Sequence, residues 1–237
     1  MANFKTHFNV GATSSAFISG VLLSMRVVSP TEAIIAFGIG TFGSLLPDID
    51  ADNSKSIDIA FTIISLLVTI LFIFTKTTIY SIAELTITAG VIFSTIRFGF
   101  IKIFRRVSKH RGAFHSIPVA VIFSIGTSII MYRFFGLSPL ISWVYGIMIG
   151  FGYIVHLILD EIYSIDLGNR RVKKSAGTAL KFFTQSQIQN LTIYISIWLL
   201  LTIAPEFTPI RETLFSYEAW LNFKYALFPS DGRWFIH

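Results

Sequence analysis

Four short pieces of this 237-residue chain carry side chains able to do chemistry. They are His7, Leu46-Pro47-Asp48-Ile49-Asp50, His110-Arg111-Gly112-Ala113-Phe114-His115-Ser116 and His156-Leu157-Ile158-Leu159-Asp160. Imidazole nitrogens and carboxylate oxygens are the donors that hold zinc, manganese or iron. Cys is absent, which excludes thiolate sites, disulfides and Cys nucleophiles and leaves His and carboxylate as the donors available. His156 and Asp160 stand four apart and therefore project from one face of a helix. The full set, His7, Asp48, Asp50, His110, His115, His156 and Asp160, exceeds what one tetrahedral ion needs. One or two divalent ions are expected, zinc first for the number of imidazoles, with manganese or iron open. Two ions about 3.5–4 Å apart activate a water and clamp both oxygens of a phosphoester displacement. Singly, each piece also has a plain reading: a helix-face hydrogen bond for His156 and Asp160, a polar turn or helix cap for Asp48 and Asp50.

The elements that must position these residues are apolar. Hydrophobic residues make up 53% of the chain and charged residues 14%, against roughly a quarter charged in a soluble domain. The expected fold is all-α, a polytopic helical membrane bundle. Ionisable groups gathered beside hydrocarbon mark a functional site by default. The formal charge of +6 then reports topology and not nucleic-acid binding; no DNA-reading module is present.

Uncharged or nearly uncharged runs lie at Phe8 to Met25, Ala33 to Leu46, Ile59 to Thr75, Ile79 to Ile101, Ser116 to Tyr132, Phe134 to Val155 and Ile188 to Ala204. Read as helices, they give about seven spans in a single domain over 1–204 and a tail, 205–237, outside the membrane or in its interface. Most are long enough to cross, at about 17 residues or more, but the second, bounded by Pro30 and Pro47, covers only about 20 Å. That shortness leaves Asp48 and Asp50 recessed below the headgroups. Lys55, Lys102, Arg105, Arg106, Lys109, Arg111, Arg170, Arg171, Lys173, Lys174 and Lys181 fall on one side with Lys5, which makes that side cytoplasmic. Every metal-ligand candidate then faces the cytoplasm. Asp52 and Asp58 read as solvated or capping, Gly146, Gly150 and Gly152 as close helix packing, and Trp220, Phe223, Tyr225 and Trp234 as an interfacial aromatic anchor.

The polar loop 161–187 follows the sixth run. Its basic residues suit an ordinary cytoplasmic loop, and Arg171, Lys173, Lys174 and Ser175 equally suit a phosphate cradle. Lys55 and Ser116, beside proposed ligands, are further candidates for holding an anionic group.

On the same residues the chain resembles the YdjM-type membrane-bound metal-dependent hydrolases, also called LexA-binding inner-membrane-associated hydrolases. The likeness rests on His7 with Gly11, Leu46-Pro47-Asp48-Ile49-Asp50, His110-Arg111-Gly112 with His115-Ser116, and His156 to Asp160, and extends from about His7 to Phe183. It implies a bacterial inner-membrane location and a metal centre, and supports a particular substrate less strongly. The His-x-x-x-Asp element is also similar to that of helical zinc-dependent phospholipases C, by analogy only.

The expected activity is phosphoester hydrolysis by a metal-activated water, the substrate a membrane lipid carrying an anionic or phosphate headgroup, since a recessed site admits a substrate laterally. In that scheme Arg111 stabilises charge on the phosphoryl oxygens, and Asp50 or Glu161 serves as general base. The alternatives from other classes are a metal-containing membrane scaffold or sensor, and a metal-ion or small-molecule transporter. Transport is disfavoured because the other side offers only Glu84 and a few loop charges.

Overall fold

The computed structural model describes residues 4–50, 54–102, 115–166, 171–172, 180–184 and 186–228. They form two compact units, residues 1–45 with 116–237, and residues 46–115.

The first unit contains α1 (Phe4–Ser24), α2 (Pro30–Gly43), a helix Ile117–Ile129 that runs on through a π-helical turn at Ile130–Phe134, and the long helix Pro139–Ser164. A two-residue hairpin, Ile165–Asp166 with Arg171–Val172, follows, and then Gln187–Ile203, Thr208–Leu214 and Tyr217–Leu227. The second unit contains a 3-10 turn at Pro47–Asp50, α3 (Ser54–Lys76) and α4 (Ile82–Ser94), the last extended by a π-helical turn at Thr95–Phe100. In chain order the remaining helices are α5 (Ile117–Ile129), α6 (Pro139–Ser164), α7 (Gln187–Ile203), α8 (Thr208–Leu214) and α9 (Tyr217–Leu227).

Local chemistry sets the helix ends. Ser29 and Glu32 close a capping box on α2: the Ser29 amide donates to Glu32 Oε2 at 2.7 Å and the Glu32 amide to Ser29 Oγ at 3.4 Å, with Pro30 at the first helical position. Ser81 and Glu84 repeat the device on α4, at 2.8 and 3.4 Å. Glu84, the one acid within the fourth apolar run, is thus a cap. At the other end of α1 the Arg26 amide donates to the Leu23 carbonyl and the Val27 amide to the Leu22 carbonyl. Arg26 takes φ 60° there, the left-handed residue of a Schellman motif, a place usually filled by glycine.

α6 is the core of its unit. α1, α2, α5 and α8 all pack on it, and Val144, Tyr145, Met148, Tyr153 and Leu157 are its buried face. α2 comes close enough that a Cβ on Gly152 would fall on the Gly40 carbonyl oxygen. Gly146 meets Ser124 and Ser128 of α5 in the same manner, so these glycines serve packing, as the sequence suggests. In the second unit α3 packs on α4 and on the π turn. Asp58 and Arg97 join them through a 3.1 Å ion pair, with the Asp58 side chain still 40% exposed as its solvated reading expects.

Each of the seven apolar runs forms a helix, but the expectation of seven spans is not met among the described residues. Three helices are long and apolar enough to cross a membrane: Ile82–Phe100, Ile117–Phe134 and Pro139–Tyr163. A fourth arises if Gln187–Ile203 and Thr208–Leu214, bent by 88°, are one span. α2 has only 14 residues, α1 is diluted by His7, Asn9, Thr13, Ser14, Ser15 and Ser19, and the apolar stretch described in α3 is Ile64–Lys76.

The α2–α6 approach is testable. Gly152→Ala forces the two backbones apart, an overpacking that costs about 1–3 kcal/mol, and lowers the thermal unfolding midpoint in detergent. Gly20→Ala, where a Cβ meets nothing within 4 Å, holds or raises that midpoint.

Candidate metal centre

Three donors meet where α1 begins and α6 approaches its end. The His7 and His156 rings stack, centroids 3.7 Å apart and planes 12° from parallel. Their Nε2 atoms turn to one carboxylate, His7 to Asp160 Oδ1 at 3.4 Å and His156 to Asp160 Oδ2 at 3.5 Å. Both imidazoles are fully buried and Asp160 is 6% exposed. The spacing of four along α6 places His156 and Asp160 on one face, as the sequence requires.

The tautomer of His156 follows from its other nitrogen. Nδ1 lies 2.7 Å from the Ser44 carbonyl oxygen, and a carbonyl only accepts, so Nδ1 carries the proton. In the neutral ring Nε2 is then a bare lone pair facing a carboxylate oxygen. Two acceptors so placed require a cation between them, either a second ring proton or a metal ion. A backbone carbonyl on the far nitrogen of a histidine is also the usual means of orienting an imidazole ligand.

Ser44 is held by its side chain. Its hydroxyl donates to the Thr41 carbonyl at 2.7 Å and to the His7 carbonyl at 3.3 Å, so one fully buried residue ties α1, α2 and α6 together. Gly11, one turn after His7, makes room: a Cβ there would overlap the Ser44 side chain.

The donor set fits a divalent ion. Each imidazole nitrogen meets a different oxygen of the one carboxylate, at 3.4 and 3.5 Å, and imidazole and carboxylate are the donors that zinc, manganese or iron take. Hydrogen bonds between charged partners close to about 2.7–2.9 Å, shorter than either. His156 and Asp160 belong to a His/Asp group that could hold a metal ion, and His7 meets the same carboxylate.

The second unit holds a pair of the same chemistry. Asp48, in the 3-10 turn, and His115 are each half-buried, and their ligand atoms lie within 4.8 Å of each other. They stand at the two places where the chain passes between the units, after Leu45 and before Ser116. Pro47 ends the path from α2 and starts the turn carrying Asp48.

The remaining sequence candidates are placed as follows. Ser116 is 1% exposed at the N-cap position of α5, an inward position for a proposed substrate contact. Glu161 is half-buried beside Asp160. Asp50, Lys55 and Arg171 lie in described elements, but their side chains are outside the description, and His110, Arg111, Lys173, Lys174 and Ser175 lie outside the described residues altogether. Two positions escaped sequence reading. Ser44 contributes through its main-chain carbonyl, which no residue type announces. Lys181 accepts a hydrogen bond from the Ile117 amide at 3.1 Å through its own carbonyl, pinning the end of the 161–187 loop to the start of α5; partial burial holds its ammonium below the usual lysine range.

A family model described as YdjM inner membrane protein matches residues 1–170. No curated protein and no solved structure matches the chain.

Elemental analysis of detergent-purified protein tests the centre. Wild type is expected to retain one or two equivalents of zinc, manganese or iron, and His156→Ala, Asp160→Ala and Asp48→Ala to lose them while eluting as folded protein. Glu84→Gln, which touches only a helix cap, keeps the wild-type metal content. Equal metal in all five proteins would refute the ligand set.

Proposed function

The chain belongs to the YdjM inner membrane protein family, and from that premise we propose that it is an integral-membrane, metal-dependent hydrolase cleaving a phosphoester of a membrane lipid. The observation that carries the reading is the buried His156 imidazole, oriented by the Ser44 carbonyl, with Nε2 3.5 Å from the Asp160 carboxylate. The proposal joins Asp48 and His115 with His156 and Asp160 in one centre, His7 beside them, and assigns Asp50 and His110 to the same set. Zinc is the first candidate, manganese and iron the next. A divalent ion held there supplies Lewis acidity and makes water a nucleophile near neutral pH.

The protein's own groups complete the chemistry. Asp50 or Glu161 takes the proton of the attacking water, and Arg111 neutralises charge growing on the phosphoryl oxygens. Lys55, Arg171, Lys173, Lys174 and Ser175 hold the phosphate, with Ser116 behind them. A lipid is the favoured substrate because His156 and Asp160 lie toward the end of a helix long and apolar enough to cross a membrane, at the depth of the headgroups. The excess of Lys and Arg in the sequence segments that adjoin these residues supports a cytoplasmic orientation.

Near-complete burial of His7, His156 and Asp160 favours a second reading, a scaffold or sensor with a structural metal, since structural sites are closed and catalytic ones keep a position open. Transport finds less support, because Glu84 is engaged as a helix cap.

Incubation with phosphatidylglycerol, phosphatidylethanolamine and phosphatidic acid in mixed micelles, read by mass spectrometry, separates the two. Hydrolysis is expected to stop on chelation, return with zinc, and fall at least about 100-fold in His156→Ala. Stoichiometric metal without release of any phosphoester product would move the conclusion to the scaffold.

A further inference from the structure

The C-terminal helices are built differently from the spans. α7 exposes apolar side chains around its circumference, Ile188, Leu191, Trp198 and Leu201 among them, the composition of a helix bathed in lipid. After Ile203 the axis turns by 88° into α8. The turn is fixed from α6: Trp143 Nε1 donates to the Pro205 carbonyl at 3.0 Å, and the Trp143 ring meets Phe207 edge-on at 5.1 Å. Ile210 and Ala219, 1% and 4% exposed, seat α8 and α9 on the bundle. The corner between them is closed as well, by the Ser216 hydroxyl accepting from the Ala219 amide at 3.1 Å and Trp220 Nε1 donating to the Leu214 carbonyl at 2.9 Å.

This ordered segment leaves large side chains uncovered. Trp220, Phe223 and Leu227 recur at i, i+3 and i+7, one face of α9, with Trp220 52% and Leu227 51% exposed. Glu218, Asn222 and Tyr225 lie on another face of the same helix, and the inward face carries Ala219. An apolar stripe of this kind, on the helix that follows α8 after the 88° turn from α7, has the form of a helix lying in the membrane plane. Trp and Tyr are the side chains of that boundary, with an apolar body and a polar tip.

We infer that α8 and α9 lie in the membrane interface, with Trp220, Phe223 and Leu227 directed into the lipid, on the face opposite the His7–His156–Asp160 end. α6 sets the opposition: Trp143, which anchors the cuff, precedes Asp160 by about 25 Å of helix at 1.5 Å per residue. With the cuff fixed at one boundary of a hydrocarbon layer about 30 Å thick, the three donors come to rest just inside the other. The cuff acts as a depth stop and is independent of whether the centre hydrolyses anything.

Because the chain has no Cys, single-cysteine variants need no background changes. W220C, L227C, E218C and Y225C, spin-labelled in phosphatidylcholine–phosphatidylglycerol vesicles, are read by power saturation with oxygen and with a nickel chelate. Labels at 220 and 227 are expected to sit about 5–10 Å below the headgroups and to favour oxygen; labels at 218 and 225 favour nickel. An impermeant maleimide should modify K5C and E218C from opposite faces of sealed vesicles. Nickel access at all four positions, oxygen preference at all four, or modification of both cysteines from one face would each overturn the assignment. Retention of the wild-type unfolding midpoint by each labelled protein ensures that the readings come from the native bundle.

Discussion

The hydrogen bond between His156 Nδ1 and the Ser44 carbonyl, 2.7 Å long, organises the first unit. It joins the end of α2 to α6 where both residues are fully buried and an imidazole has few ways to satisfy both nitrogens. By fixing the proton on Nδ1 it leaves Nε2, facing Asp160, as the atom that takes up a second proton or a metal ion. The stacking of His7 on His156 brings a second nitrogen to the same carboxylate. A buried carboxylate facing imidazole lone pairs is expensive unless a cation joins them, so the packing of three helices and the chemistry of the centre are one constraint.

That constraint explains the use of small residues. Gly152 lets α2 lie against α6, and Gly11 lets α1 lie against Ser44. Between helices in a membrane, association comes from close packing and from polar contacts across the seam, since hydrocarbon gives no hydrophobic reward for burying an apolar side chain. Ser44 supplies both: a small volume and a hydroxyl bonded to carbonyls of α1 and α2. Larger residues here would separate the backbones and draw the two imidazoles away from Asp160.

Sequence alone made much of this legible. The i, i+4 spacing of His156 and Asp160 placed them on one face, and His7 joined them although 149 residues separate His7 from His156. The positions of the apolar runs were legible too, because hydrocarbon length and helix rise are fixed quantities. The number of spans was not. Absence of charge delimits a run, yet α1 carries hydroxyls and amides within it, and α2 stops after 14 residues. Nor was the end of α6: the polar loop was placed from 161, directly after Asp160, whereas the helix continues to Ser164. Asp58 and Arg97 could not be paired from sequence, since neither flanks the other along the chain. Ser44 was invisible for a deeper reason, that its contribution is made by an atom every residue possesses.

That last feature has a consequence for variation. Most groups that orient a ligand are side chains, and one base change can remove them. Here the orienting acceptor belongs to the peptide unit, so replacement of Ser44 by alanine keeps the acceptor itself and removes only the hydroxyl contacts that hold it. What position 44 must conserve is volume, because Gly11 has already fixed the space around it. The identity of the residue and the electronic task performed at that point are therefore separable. A catalogue of variants would find this position strict in size, while His156, across the hydrogen bond, is held to its identity by the ring itself.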